Sequence, residues 1–404
     1  MLQKTPSRYL NRITPPHIST LILATGLSAL AMNIFLPSLP KMTEHFQTDY
    51  RLMQLSVALY LGASGILQIL IGPISDYLGR RPVILAGVGL FLLATIGCVL
   101  SPTIEVFLVF RMCQAVVVVT MVLSRAAIRD MYDQDRAASM IGYVTMGMAV
   151  APMIGPALGG LLDEVFGWKS SFWLIFILGA VTLWLIWADF GETARVAGKS
   201  LRQQLRDYPA LLRSPRFWGY SLALGFSSGA FFAYLGGAPY VGTEVYGMTP
   251  GELGVFFSVP AVGYFGGNFI TARYATRFGI NLMVVWGGLI VAFGLALPVL
   301  LMLAGYGSPY VFFGCMCFVG FGNGMTMPNA TAGALSVRPH LAGSAAGLSG
   351  AIMLGGGAAL SAFAGSLLTP ENGALTLLTI MLATTLAGLV AICVVIWRER
   401  QLGL

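Results

Sequence analysis

The 404-residue chain holds few groups able to do chemistry, and most stand far apart. The densest gathering is GPISDYLGRRPVIL, residues 72–85, where Asp76, Arg80 and Arg81 lie between two strongly apolar stretches. An acid and a base four residues apart on a helix can pair, so this segment offers a latch more readily than an active site. Arg111, in FLVFRMCQA, is the one charge well inside an apolar stretch, where an arginine costs about 3 kcal/mol or more. It needs a wet cavity, or else carbonyls and polar side chains that satisfy it structurally. The 16 Asp and Glu residues fall in loops or near the ends of apolar stretches, and none is expected at midspan. His17, His45 and His340 accompany no nucleophile, metal spacing or phosphate cradle, so neither an enzyme nor a cofactor is expected. Cys98, Cys113, Cys315, Cys317 and Cys393 all lie in apolar stretches, which points to packing rather than to metal or disulfides.

The elements that must position these residues follow from composition. With 57% apolar residues, 10% charged residues and a mean hydropathy of +0.80, the chain belongs among membrane proteins. Apolar runs of about 20 residues without strand-like alternation predict helices, not a β-barrel. Twelve spans are expected, near 17–38, 51–73, 83–101, 105–127, 137–162, 169–190, 215–238, 250–273, 281–304, 308–333, 343–367 and 373–397. The first is read as an uncleaved span, since it is long, contains Asn33 and prolines, and lacks a small-residue cleavage site. The net charge of +7 sits mostly at the termini and in alternate loops, while Lys41, Arg51 and Lys169 fall on the other side. That asymmetry places both termini in the cytoplasm and argues against nucleic acid as the partner.

The polar stretch 191–214 divides the chain. The expected parts are a cytoplasmic N-terminus (1–16), an N-terminal six-helix bundle (17–190), a cytoplasmic linker, a C-terminal six-helix bundle (215–397) and a cytoplasmic C-terminus (398–404). An internal repeat at an offset near 200 relates the halves: Gly79 in DYLGRR matches Gly279 in TRFGIN, and Gly155 matches Gly355. The fold class is therefore all-α integral membrane, twelve transmembrane helices as two pseudo-symmetric six-helix bundles around a central cavity.

Several motifs occur in order. GPISDYLGRRPVIL resembles the loop signature between the second and third helices of the major facilitator superfamily, matching at Gly72, Asp76, Gly79, Arg80 and Arg81. GYVTMGMAVAPMIGPALGG resembles the antiporter signature of its drug exporters, through Gly142, Gly155, Pro156, Gly159 and Gly160, with Ala151 where glycine is usual. With LPSLP, SRAAIRDMY, LGFSSGAFFAYLGGAPYV and PHLAGSAAGLSG, the chain looks like the bicyclomycin and chloramphenicol resistance (Bcr/CflA) branch of drug/proton antiporters, from about residue 20 to 395.

The resemblance implies efflux of small amphipathic drugs across the bacterial inner membrane by alternating access, with protons as coupling ion, a monomeric carrier and the lipid bilayer as surroundings. It also implies that Arg111 faces the cavity and takes part in coupling, that Asp76 meets the start of the eleventh helix near His340 to Gly343, and that Arg80 or Arg81 meets Asp130. In this reading Gly142, Pro152, Gly155, Pro156 and Gly159 form a bent, close-packed hinge in the fifth helix, and Arg125 belongs to the gating set. The sharpest departure is Asn33, which stands where this branch ordinarily carries a carboxylate. Asparagine cannot titrate, which leaves three explanations: another coupling route, an uncoupled or facilitated carrier, or a position altered by design. Candidate substrate-binding and coupling residues are Asn33, Gln54, Tyr60, Arg111, Gln114, Phe231, Phe232, Tyr234, Tyr264, Asn268 and Asn323. One arginine without an acid suggests neutral or anion-tolerant substrates such as phenicols. An uptake carrier of the same fold, for a siderophore or small metabolite, is the competing reading.

Overall fold

A computed structural model describes residues 9–132, 134–193, 209–338 and 341–403, without the side chains of 134–139, 142, 145–150, 152–153, 276, 342–343 and 402. Gly142 and Pro152 thus lie outside the residues whose side chains are described. His340 and most of the 191–214 linker lie outside the described residues altogether.

Among the described residues, twelve helical segments have the length to cross a bilayer. They are α1 (Ile18–His45), α2 (Tyr50–Leu78), α3 (Arg80–Leu100), α4 (Ile104–Met131), α5 (Gln134–Phe166), α6 (Lys169–Asp189), α7 (Pro215–Val245), α8 (Pro250–Ala275), α9 (Ile280–Leu303), α10 (Pro309–Ser336), α11 (Ala342–Leu367) and α12 (Gly373–Leu402). At 1.5 Å per residue, even the shortest reach roughly 32 Å, the thickness of the hydrocarbon core. Helix α12 runs past the expected boundary at 397, because Arg398 pairs with Gln401 at 3.0 Å and the left-handed Gly403 stops the helix only there.

Breaks in the helices recur between halves. Helix α4 tightens into a 3-10 turn at Ala115–Val117, and α10 is interrupted at Cys315. Helices α2 and α3 are joined by Gly79 alone, and the run Val259–Phe278 that continues α8 is joined to α9 by Gly279; these glycines have φ of +95° and +80°, which only glycine adopts without strain. The prolines of LPSLP break α1: its α-helix stops at Asn33, and a 3-10 turn at Leu36–Ser38 leads to a short last helical piece, Leu39–His45.

Helices α3, α6, α9 and α12 carry the exposed apolar residues of a lipid belt, among them Leu93, Trp184, Trp286 and Trp397. The halves meet mainly where α2 packs on α11 and α5 on α8. Towards the face opposite the termini, the apolar core is continuous across both halves and includes Leu36, Leu61, Phe232 and Leu354. Towards the face of the termini it splits into two separate clusters. One holds Leu21, Ile84 and Phe190, and the other holds Leu211, Val284 and Val395.

Candidate functional site

The polar centre of the N-terminal half forms around Arg111, which is fully buried. The break in α1 prepares its place, because the last carbonyls of a helix lack partners within it and attract a cation. Arg111 donates to Ala31 O at 3.1 Å and to Gln114 Oε1 at 2.7 Å. Gln114 passes the network on, donating to Thr95 Oγ1 at 2.8 Å. The guanidinium lies 4.1 Å from the ring centre of Phe35 and 4.2 Å from that of Tyr60. Four helices, α1 to α4, thus converge on one charge, and among the described residues no carboxylate pairs with it. Two aromatic faces and two acceptors do the work of a counter-ion.

Asn33 sits at the end of the same helical piece, 1% exposed. Its Nδ2 donates to Ala29 O at 2.7 Å and its Oδ1 has no partner. It packs towards Gly155 of α5, and Gly159 lies so close to the Ile34 carbonyl that no side chain fits between them. The hinge glycines of α5 therefore rest on α1 within their own half. Pro156 faces the other way: its carbonyl lies against Gly254 of α8.

Gln54 stands apart from this centre. Its Nε2 donates across the seam to Ser361 O at 2.8 Å, with Gly236 and Gly365 crowded against its amide. Near it, Tyr50 donates to Gly236 O at 2.8 Å and accepts from Tyr240 N–H at 3.2 Å. Gln54 thus helps close the face opposite the termini.

In the C-terminal half, Tyr234 is buried with its hydroxyl unpartnered, and its ring lies 6.2 Å from Phe231 and 5.2 Å from Phe257. Phe232 fills the space beside Gly357 of α11. Asn323 accepts from Ser227 Oγ at 2.6 Å, and Asn268 donates to Tyr264 O at 2.8 Å. Phe231, Tyr264 and Asn268 are partly exposed, whereas Asn33, Tyr60, Arg111 and Gln114 are enclosed. Arg125 lies half-buried on α4.

On the face of the termini, Arg80 binds Asp76 at 2.5 Å and Asp130 at 3.2 Å. Arg81 turns instead to the end of α6, donating to Phe190 O at 2.9 Å and Trp187 O at 2.8 Å. Sequence reasoning missed two acids here. Asp189 accepts from Leu10 N, His17 N and Thr20 Oγ1 at 2.7–2.8 Å, and Glu192 accepts from Arg80 N at 2.8 Å. Both look like loop-end solvating charges in the sequence, and nothing in their spacing marks these partners.

Two six-helix bundles, joined along one face and parted along the other around an enclosed arginine, are the build of a secondary transporter rather than an enzyme. The chain belongs to the Major Facilitator Superfamily, whose family model matches residues 21–362. It is 28% identical to the Multidrug resistance protein D of Escherichia coli (strain K12), over 92% of this chain and 93% of that one. It is 31% identical to a Chloramphenicol resistance protein of Pseudomonas aeruginosa, over 78% and 76%. It is also 32% identical to the uncharacterized MFS-type transporter YdgK of Bacillus subtilis (strain 168), over 61% of this chain and 63% of that protein. In fold it is similar to the crystal structure of a bacterial homolog of the human lysosomal transporter Spinster, with a TM-score of 0.72 at 17% identity over 95% and 96% of the two chains.

Proposed function

We propose that this protein exports small amphipathic drugs, phenicol-type antibiotics among them, from the cytoplasm across the bacterial inner membrane by alternating access. The moving units are the six-helix halves 17–190 and 215–397, joined by the linker at 191–214, with both termini cytoplasmic and a monomer as the working form. The observation that carries this reading is the one-sided seal: a core continuous across the halves away from the termini and divided beside them. With the termini inside, that is an inward-facing carrier ready to take its substrate from the cytoplasm. Outward transport is supported by the names of the relatives above and by the antiporter-like fifth helix.

The substrate chemistry follows from charge. Arg111 and Arg125 have no carboxylate opposite them among the described residues, so neutral or anionic groups are favoured over lipophilic cations. Proton antiport remains the driving reaction in this reading, with coupling carried elsewhere than Asn33, which holds its bond to Ala29 O without a titratable proton. The test is accumulation of a phenicol in an efflux-deficient bacterium expressing the protein, with and without a protonophore. Lower accumulation that the protonophore reverses supports proton-driven export. Raised accumulation would establish the uptake carrier instead, and no change would exclude both.

A further inference from the structure

The two acids at the end of α5 lie where the halves close, away from the termini. Asp163 is buried within its own half: Lys41 of α1 stands 3.5 Å from its Oδ1 and donates to its backbone carbonyl at 3.3 Å. That clamp fixes the end of α5. The next residue, Glu164, reaches into the other half, where its Oε1 accepts from Gly251 N at 3.0 Å in the first turn of α8. Its carboxylate lies so close to Gly251 that an added Cβ would stand 2.6 Å from Oε2. Thr249, the N-cap of α8, forms a capping box with Glu252, so the Gly251 N–H is the first-turn donor that meets Glu164.

We infer that Glu164 is an electrostatic latch: a negative charge from one half, seated on the positive end of a helix of the other, that holds the far face shut. A carboxylate at a helix N-terminus is stabilised both by the free N–H groups and by the helix dipole. The bond exists only while α5 and α8 are together, so it favours the state with that face closed. The charged groups facing it are Lys41 from α1, Asp163 from α5 and Glu252 from α8. On the opposite face Asp76 is held by Arg80 within its own half, whereas Glu164 is engaged across the seam. Glu164 is a positioning residue for the transport cycle, since it acts through α8 and not on the substrate.

The inference rests on the alternating-access reading, so its test reads the gate without substrate. Ser361 is fully buried beneath the seal, bonded through its carbonyl to Gln54. A Ser361→Cys reporter is placed in a chain whose five native cysteines are replaced, and its reaction with an impermeant maleimide from the far face is timed in proteoliposomes. Glu164→Gln and Glu164→Ala should each speed labelling about twofold to fivefold, while Glu164→Asp stays nearer the parent. High salt should speed labelling of the parent and leave Glu164→Gln unchanged, since an exposed charge is screened. Glu164 is exposed, so these variants leave the folded core untouched. Equal rates for parent, Gln and Ala would overturn the latch, and so would a rate raised by Ala but not by Gln, which would leave only a neutral contact. If the reporter stays unreactive even in Gly254→Ala, where the seam itself is wedged, the alternating-access reading fails along with it.

Discussion

Replacing Gly254 with alanine adds a single methyl group between the halves. Its Cβ would lie 2.5 Å from Pro156 O and 3.0 Å from the Cα of Ala157, both on α5. A carbon rests about 3.3 Å from a carbonyl oxygen, so α5 and α8 must part by roughly 0.8 Å. The obstructing atoms are backbone and cannot swing aside, and overpacking of this kind costs about 1–3 kcal/mol. The cost falls only on the state with the far face closed, because the open state separates these helices. The ratio of closed to open should therefore drop by about 5- to 150-fold. Spin labels at Val165 on α5 and Tyr310 on α10, both exposed and on opposite halves, would report this as a longer distance population in pulsed dipolar spectroscopy. Gly155→Ala is the control: its nearest neighbour is the Leu30 Cδ1 at 3.0 Å, the movable end of a side chain, and its distances should match the parent. Unchanged distances in Gly254→Ala with normal drug turnover would refute the wedge and the closed seam behind it.

Arg111→Lys should fold but lose transport at least tenfold, since one ammonium cannot stack on both Phe35 and Tyr60 while reaching Ala31 O and Gln114; transport kinetics in proteoliposomes check this. Asn33→Asp would meet Ala29 O with an acceptor unless protonated, so it should introduce pH dependence, measured as drug-driven proton movement. Equal coupling in parent and variant would show that a carboxylate at position 33 adds nothing to the coupling carried elsewhere. Gly79→Ala should cost about 1–2 kcal/mol, read as a lower melting temperature, because it combines a positive φ with a Cβ 2.5 Å from the Glu192 carboxylate. Asp76→Asn should slow turnover while leaving drug binding close to the parent in equilibrium titration; lost affinity with normal cycling would move Asp76 into the binding site.

The twelve helices, their pairing into halves and the Gly79 and Gly279 joints were legible because apolar length, charge asymmetry and a repeat each leave a direct trace. The family resemblance implied that Arg80 or Arg81 meets Asp130, and the contact falls to Arg80. Side-chain direction was not. In a membrane bundle the lipid-facing and core-facing sides are both apolar, so hydrophobic periodicity cannot say which way Gln54 points, and it proved to clamp the seam. The acids Glu164 and Asp189 look alike in sequence, as charges at span ends, yet one crosses between halves and the other anchors residues 10–20. Their partners are backbone N–H groups or a hydroxyl, which no residue pattern announces. Arg111 illustrates the middle case: its place inside a span and its need for partners or a wet cavity were legible, while the aromatic sandwich depends on a break in α1 that the LPSLP prolines create only in three dimensions.

The surroundings of Arg111 bear on how the protein is made. Alone, α4 would carry an arginine into lipid at a cost of about 3 kcal/mol, which opposes its release from the insertion machinery. The groups outside α4 that meet that charge are Ala31, Phe35 and Tyr60, with Thr95 holding Gln114 behind them, and all belong to α1, α2 or α3. Synthesis delivers these before α4 emerges, so the helix arrives at a receptor already in the membrane. Order along the chain thereby becomes part of assembly, and a circular permutation that made α4 before α1 would leave the arginine waiting in lipid for its partners.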